Sequence, residues 1–229
     1  MLNSFPFDAV LWDMDGTLID SEPVWIEQER LLMESLGATW TDEDAFHCVG
    51  GPMARVDAYM RSKLPSATQQ RFQPLELTNQ LLHHMEVRLS QNVPFTPGAS
   101  NLINEMKNAS VPLALVSASS RPLMNAALLN IGAELFDVTI SDNDVLRSKP
   151  DPEGYLKAAE ILGVNISRSL IIEDSITGMT AAIATGAFVI GLTHVAQLPH
   201  GPKVVHHPTL EGITMGDITN LFSLVQGRE

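Results

Sequence analysis

Six polar side chains stand directly after short apolar runs of the chain, or in the loop that follows one. In chain order they are Asp13, Asp15, Ser117, Lys149, Glu173 and Asp174. The apolar runs have the length and composition of buried strands. The carboxyl ends of parallel strands share one edge of a sheet, and open α/β sheets bind their ligands there. The sequence therefore predicts that carboxylates, a hydroxyl and one ammonium group meet at a single edge.

These residue types suit phosphoryl chemistry. Clustered carboxylates repel one another unless a cation lies between them, and hard oxygen ligands at an open site favour magnesium. A serine hydroxyl, a lysine and backbone N–H groups at helix starts can bind phosphate oxygens. Of two nearby aspartates, one can attack phosphorus while the other protonates the leaving oxygen. A single aspartate after a strand is usually only a cap or turn former, so the joint placement of the six groups carries the interpretation.

Strand-like runs alternate with helical patterns over most of the chain. The runs are residues 7–12, 111–116, 138–140, 170–172, 187–190 and, more weakly, 204–205. Between them, mostly apolar residues recur every three or four positions and form stripes, and Gly132, Gly163 and Gly186 mark helix ends. The stripes run from Leu123 to Asn130, from Tyr155 to Leu162 and from Ile176 to Ile183. This alternation predicts an α/β fold with a doubly wound, mostly parallel, Rossmann-like sheet and helices on both faces.

One long stretch breaks the alternation and has helical patterns only. It contains a capping-box sequence at Thr41–Asp44 and apolar residues four apart at Leu77, Leu81, Met85 and Leu89. We therefore expect a catalytic core domain of residues 1–19 and 92–229. An all-helical cap domain, residues 20–91, is inserted after the first strand.

The composition excludes several classes of protein. The chain has 229 residues, with 27 Asp and Glu against 14 Lys and Arg, and a net charge of −13. An acidic surface repels nucleic-acid phosphates and anionic lipid, so neither partner is expected.

The single cysteine, Cys48, cannot form an internal disulfide. The beginning of the chain does not resemble a secretory signal, and no apolar stripe suggests an oligomer, so we expect a cytoplasmic monomer.

Four motifs resemble those of the haloacid dehalogenase superfamily in its phosphatase form, and they occur in the order typical of that family. They are Asp13-Met14-Asp15-Gly16-Thr17-Leu18, Val116-Ser117-Ala118-Ser119, Ser148-Lys149-Pro150-Asp151-Pro152 and Ile171-Ile172-Glu173-Asp174-Ser175-Ile176-Thr177-Gly178-Met179. The first and fourth motifs are specific, whereas the second would mean little alone. Essentially the whole chain is similar to the β-phosphoglucomutase-like branch, including a helical cap.

The resemblance implies roles in catalysis and phosphate binding. Asp13 would be the nucleophile, which forms an aspartyl-phosphate. Asp15 would be the general acid and then the base that activates water. The phosphoryl group would be bound by Ser117, Ala118 and Lys149.

The resemblance also implies a magnesium site. Asp13, the backbone carbonyl of Asp15 and Asp174 would be the ligands, with Glu173 as a secondary ligand. Thr17 would support the first loop. The cap would close over the substrate and exclude water during the first chemical step.

The expected cap residues bear on the substrate. β-Phosphoglucomutases carry a histidine that assists acid–base chemistry where this chain has Trp25. An indole cannot transfer protons, but it can pack on the apolar face of a sugar, or it can simply belong to the cap core. The candidates for a substrate loop are Gly50, Gly51, Met53 and Arg55. In the mutases an arginine near this loop binds a second phosphate. Met53 falls nearest that position in this chain, so we expect the contact to be missing. A substrate with a single phosphate is therefore favoured.

These expectations combine into one function with two alternatives. The favoured function is a magnesium-dependent phosphatase for small phosphorylated metabolites, such as hexose 6-phosphates or sugar-alcohol phosphates. The first alternative is a phosphotransferase of the β-phosphoglucomutase type. The second, a non-catalytic phospho-ligand-binding protein, is less favoured because the nucleophile, acid, lysine and metal ligand are all present.

Overall fold

The chain forms two compact units in a computed structural model that describes residues 5–49, 51–193 and 197–226. The first unit consists of Met1–Asp20 and Pro94–Glu229, and the second is Ser21–Val93. That the second unit serves as a cap stays a prediction.

The first unit contains a parallel sheet. Within the described residues the sheet has six strands in the order β3-β2-β1-β4-β5-β6, and every neighbouring pair is parallel. The strands are β1 (Val10–Trp12), β2 (Leu113–Val116), β3 (Val138–Ile140), β4 (Leu170–Glu173), β5 (Phe188–Leu192) and β6 (Val204–His207). The strand order reverses between β1 and β4, which makes this point the expected ligand crevice. The predicted α/β sheet fold is confirmed.

Two strands begin at least two residues later than their apolar runs. β1 begins at Val10 rather than Phe7, and β2 begins at Leu113 rather than Val111. The N–H of Val10 donates to the carbonyl of Pro112 at 3.0 Å. Because proline has no N–H to continue the ladder, pairing between these strands cannot extend further in that direction.

The second unit is built from helices. They are α1 (Glu22–Ser35), α2 (Asp42–Cys48), α3 (Met53–Lys63), the short α4 (Ser66–Gln69) and α5 (Glu76–Gln91). The predicted capping box starts α2, because the N–H of Asp44 donates to the Thr41 hydroxyl and the Thr41 N–H donates to the Asp44 carboxylate. α5 packs against α1 and α3. Its predicted apolar face is buried at Leu77, Leu81, Met85 and Leu89.

The sheet is surrounded by the helices of the first unit. They are α6 (Ala99–Asn108), α7 (Arg121–Ile131), α8 (Glu153–Leu162), α9 (Ile176–Ala184) and α10 (Met215–Gln226). Two members of the predicted apolar stripes are exposed instead: Asn130 on α7 and Ile176 on α9. Ile176 begins the first turn of α9, where the helix leaves the edge of the sheet.

No helix in the described part of the chain combines the length and apolar composition needed to cross a membrane.

Candidate active site

The loop after β1 places two aspartates at the carboxyl edge of the sheet. The N–H of Asp13 still donates to the carbonyl of Ile172 on β4 at 3.0 Å, so Asp13 lies at the end of the ladder. The chain then turns back, because two later N–H groups of the loop donate to the carbonyl of Met14. The turn leaves Asp13 buried and Asp15 partly exposed.

Gly16 makes this loop possible. Its φ of +81° lies in the left-handed region, which is costly for other residues. A Cβ atom on Gly16 would also lie 2.2 Å from Oδ2 of Asp174. The first motif and the residue after β4 can therefore approach each other only because this position has no side chain.

Lys149 reaches the same edge from the loop between β3 and α8. Its Nζ donates to Oδ1 of Asp13 at 2.5 Å, to Oε1 of Glu173 at 2.8 Å and to the carbonyl of Val116 at 2.9 Å. The lysine side chain is 7 % exposed. A buried ammonium with three acceptors is held in one position and lies directly against the carboxylate of Asp13.

Glu173, at the end of β4, is fully engaged by protein donors. Its Oε1 accepts from Lys149 and from the hydroxyl of Tyr155 at 3.1 Å. Its Oε2 accepts from the N–H groups of Asp174 and Ser175 at 2.9 Å each, and from the Ser175 hydroxyl at 3.1 Å. This carboxylate therefore links the position of Lys149 to the start of α9.

Asp174 is held by the first motif. The hydroxyl of Thr17 donates to Oδ1 of Asp174 at 2.8 Å, and both residues are buried. The carbonyl of Thr17 in turn accepts from the hydroxyl of Thr96 at 2.5 Å. Two buried threonines thus fix the aspartate that the sequence predicts as a metal ligand.

Asp15 is contacted by hydroxyl groups from the loop after β2. The hydroxyl of Ser119 donates to Oδ2 of Asp15 at 2.7 Å, and that of Ser117 donates to the same oxygen at 3.3 Å. The N–H of Ser119 donates to the Ser117 hydroxyl oxygen at 2.9 Å. The second motif therefore surrounds one oxygen of the predicted general acid.

Burial and mutual repulsion dominate the electrostatics of the site. Burial and the carboxylate of Glu173 raise the pKa of Asp174 to about 7. The same two causes raise the pKa of Asp13 well above its ordinary value, although Lys149 opposes them. Burial lowers the pKa of Lys149, but the carboxylates of Asp13 and Glu173 outweigh this effect and raise it well above its ordinary value. The ammonium thus stays charged, while the surrounding carboxylates favour a further cation.

The donor set fits a hard divalent cation. Oxygen atoms of Asp13, Glu173 and Asp174 lie within 4.8 Å of one another, and all three residues are buried. Only one ammonium, that of Lys149, faces these three carboxylates in the described part of the chain. Oxygen ligands with uncompensated negative charge suit magnesium. Because both oxygens of Glu173 already accept hydrogen bonds, Asp13 and Asp174 are the better placed ligands.

The structure brings the six polar residues of the sequence analysis together at the carboxyl edge of the sheet. Ala118, the seventh predicted residue of the first unit, is exposed between Ser117 and Ser119. The roles of these residues stay predictions, since their placement alone tests no activity.

The predicted substrate residues belong to the second unit. Trp25 is half-buried on α1, whereas Met53 and Arg55 are exposed on α3. The guanidinium of Arg55 lies against Gly51, where an added Cβ would be 2.1 Å from the nearest nitrogen. Gly50 lies outside the described residues. The roles of these residues in substrate selection also stay predictions.

Three residues of the site were not assigned from the sequence. Ser119 belongs to the second motif, and its place two residues after Ser117 was a usable signal. Tyr155 was interpreted as part of the apolar stripe of α8, because an aromatic residue at helical spacing usually belongs to a core. Thr96 carried no signal, since it meets the first motif only through folding.

Comparison with known proteins identifies the family of the chain. The sequence model of the haloacid dehalogenase-like hydrolase family matches residues 10–192. Validoxylamine A 7′-phosphate phosphatase from Streptomyces hygroscopicus subsp. limoneus is 31% identical, over 82% of this chain and 86% of its own length. Hexitol phosphatase A from Escherichia coli (strain K12) is 28% identical, over 94% of this chain and 97% of its own length.

A solved structure resembles this chain over most of its length. It comes from Thermotoga maritima and is described provisionally as a beta-phosphoglucomutase, with a TM-score of 0.74 and 26% identity. The similarity covers 95% of this chain and 99% of that one. The family match spans all six clustered polar residues, which agrees with the resemblance of the four motifs. The chain is therefore a hydrolase that belongs to the haloacid dehalogenase-like family.

Proposed function

We propose that this protein is a magnesium-dependent phosphatase that hydrolyses small phosphomonoesters, in particular sugar or sugar-alcohol phosphates such as hexose 6-phosphates. The observation that carries the proposal is the buried carboxylate of Asp13, which lies against the ammonium of Lys149 and beside Asp174. This arrangement supports a carboxylate nucleophile beside two positive charges, one of them supplied by a metal. The names of the relatives, a validoxylamine phosphate phosphatase and a hexitol phosphatase, support the substrate class.

In the first step, a carboxylate oxygen of Asp13 attacks phosphorus and forms an aspartyl-phosphate. The bond between phosphorus and the substrate oxygen breaks, and Asp15 gives its proton to that oxygen, so the product leaves as an alcohol. Lys149 and the hydroxyl of Ser117 would each exchange one hydrogen bond to a protein acceptor for one to a phosphoryl oxygen, and the exposed turn at Ala118 supports a backbone contact. The hydroxyl groups of Ser119 and Ser117 hold the carboxyl group of Asp15 in place.

In the second step, Asp15 takes a proton from water, and this water attacks the phosphorus of the aspartyl-phosphate. The acyl–phosphate bond breaks, phosphate leaves, and the carboxylate of Asp13 is regenerated. One residue thus serves as acid and then as base, which regenerates the starting state in each turnover.

Asp13, Asp174 and the backbone carbonyl of Asp15 would hold the magnesium ion. When bound, it would offset negative charge on the phosphoryl group and on the carboxylates. Glu173 is better suited to hold Lys149 than to bind metal directly, because its oxygens already accept five hydrogen bonds.

The second unit is proposed to act as the cap that selects the alcohol part of the substrate. The indole of Trp25 offers an apolar surface to the face of a sugar. A phosphotransferase of the β-phosphoglucomutase type is the second candidate function, favoured by the similarity to the Thermotoga maritima structure. Trp25 argues against the phosphotransferase, because an indole cannot replace the acid–base histidine of those mutases.

The test is phosphate release from a panel of hexose, hexitol, glycolate and nucleotide monophosphates, with magnesium and with chelator. We expect release from a few sugar or sugar-alcohol phosphates that stops with chelator and falls by about 10³-fold or more in Asp13→Asn. Asp42→Asn, at an exposed carboxylate of α2, is the matched control and should retain full activity. Isomerised product with a bisphosphate primer, in place of phosphate release, would identify the mutase instead.

A further inference from the structure

Ser119 lies at a fixed point between β2 and α7. Its N–H donates to the hydroxyl oxygen of Ser117 at 2.9 Å, and its carbonyl accepts from the N–H of Asp142 at 3.1 Å. Both sides of its backbone are therefore anchored. From this position its hydroxyl donates to Oδ2 of Asp15 at 2.7 Å, a shorter contact than the 3.3 Å of Ser117.

We propose that Ser119 is a positioning residue that orients Asp15 for proton transfer to the leaving group. The inference rests on the proposed phosphatase function, in which Asp15 is the general acid. It goes beyond that function because it gives Ser119 a role in leaving-group protonation rather than in phosphate binding.

The contacts at Oδ2 restrict the carboxyl group of Asp15. This oxygen accepts hydrogen bonds from the hydroxyl groups of Ser119 and Ser117. The shorter bond, from Ser119, limits rotation of the carboxyl group and so keeps the direction of proton transfer constant.

The step that Ser119 supports is the departure of the alcohol. As the Asp13 oxygen bonds to phosphorus, the bond from phosphorus to the substrate oxygen breaks. The proton moves from the carboxyl group of Asp15 to that oxygen, and Asp15 becomes a carboxylate whose Oδ2 still accepts from Ser119. An alkoxide leaves poorly without this proton, whereas a nitrophenolate leaves readily without it.

The experiment compares kcat/KM on two substrates in the presence of magnesium: an alkyl ester that the wild type hydrolyses, such as a hexitol phosphate, and p-nitrophenyl phosphate. Ser119→Ala removes the hydroxyl and Ser119→Thr retains one. Ser120→Ala is the matched control in the same loop, since the Ser120 side chain makes no capping bond to the described residues of α7.

In Ser119→Ala we expect kcat/KM to fall by about 10- to 100-fold on the alkyl ester and by less than about 3-fold on the aryl ester, as for partial loss of a general acid. Ser119→Thr should recover most of the loss, and Ser120→Ala should match the wild type. An equal loss on both substrates, or none, would overturn the inference, because Ser119 would then act on the phosphoryl group, on folding, or on nothing. A wild type that hydrolyses no phosphomonoester of the substrate panel would instead overturn the proposed function, and the inference with it.

Discussion

At the scale of single residues, the site depends on close approaches that leave no room for a side chain. A Cβ on Gly16 would lie 2.2 Å from Oδ2 of Asp174, and a Cβ on Gly178 in α9 would lie 1.5 Å from Oε1 of Glu173. These glycines lie close to Glu173, the last residue of β4, and to Asp174, which follows it. Both therefore matter for the position of carboxylates rather than for the fold as a whole.

Gly16→Ala tests this dependence, with Gly163→Ala as its control. Both glycines have positive φ, of +81° and +69°, but a Cβ on Gly163 would meet nothing within 4 Å. Each variant should lose about 1 kcal/mol of unfolding free energy for the strained backbone. Only Gly16→Ala should also lose phosphatase activity, by about 100-fold, because Asp174 is displaced. Equal activity in the two variants, measured beside urea unfolding, would contradict the assigned role of Asp174.

At the scale of elements, the strand ends and the start of α9 bring the charges together. β1, β2 and β4 end beside one another, since β1 pairs with both neighbours. The Ser175 hydroxyl caps α9 by accepting from the N–H of Gly178 at 3.0 Å. The carboxylate of Glu173 accepts two more N–H groups just before the helix, where a negative charge is favourable. A helix start thus stabilises the acid that holds Lys149.

The helix α1 of the second unit carries a buried acid with few favourable contacts. Glu29 is 5 % exposed and its Oε2 accepts from Nε1 of Trp40 at 3.3 Å. Burial raises the pKa of Glu29 to about 7, with Glu22 adding to the effect and the bond from Trp40 opposing it. The folded protein therefore holds this proton more tightly than the unfolded chain does. The corresponding stability is present below the unfolded pKa of about 4.5 and is lost as the pH rises through about 7.

Glu29→Gln resembles the protonated acid and should remove this pH dependence. The difference in unfolding free energy, variant minus wild type, should be larger at pH 8 than at pH 5 by on the order of 1–2 kcal/mol. Urea unfolding at the two pH values measures the difference. Glu27→Gln, on an exposed part of the same helix, is the control and should show no such gain. A constant difference between Glu29→Gln and wild type would show that the carboxyl does not titrate in this range.

At the scale of the whole molecule, negative charge is in excess both overall and within the site. The net charge is −13, and three buried carboxylates face one lysine. A bound divalent cation relieves repulsion in the folded protein but has no such cluster to bind in the unfolded chain. Metal binding should therefore stabilise the fold as well as permit activity.

Thermal unfolding with and without magnesium tests this linkage apart from catalysis. At a concentration of about 100 times Kd, the metal should add about 2.7 kcal/mol to the unfolding free energy, and chelator should remove the gain. Asp174→Asn should abolish most of the magnesium-dependent rise in Tm. The control Asp42→Asn removes one exposed charge and should leave the rise intact. An undiminished rise in Asp174→Asn would place the metal elsewhere.

Much of the fold could be predicted from the chain because its signals are local. Apolar runs, helical periodicity and the Thr41–Asp44 capping box depend on residues near one another in sequence, and they indicated the α/β sheet and the helical stretch. The first motif, Asp13 and Asp15 included, could be recognised for the same reason. The late starts of β1 and β2 were missed, since they depend on which residue lies opposite Pro112 in the ladder.

The sequence by itself determined the fold class, the family and the six polar residues of the site. Its motifs are local, and parallel strands place all their carboxyl ends on one edge. Only the tertiary structure decided which atoms of those residues meet. The contacts of Ser119 with Asp15, of Tyr155 with Glu173 and of Thr17 with Asp174 join residues separated by 104, 18 and 157 positions. The chain has no local pattern for such pairs, since they result from how loops and helices pack around the ends of the strands.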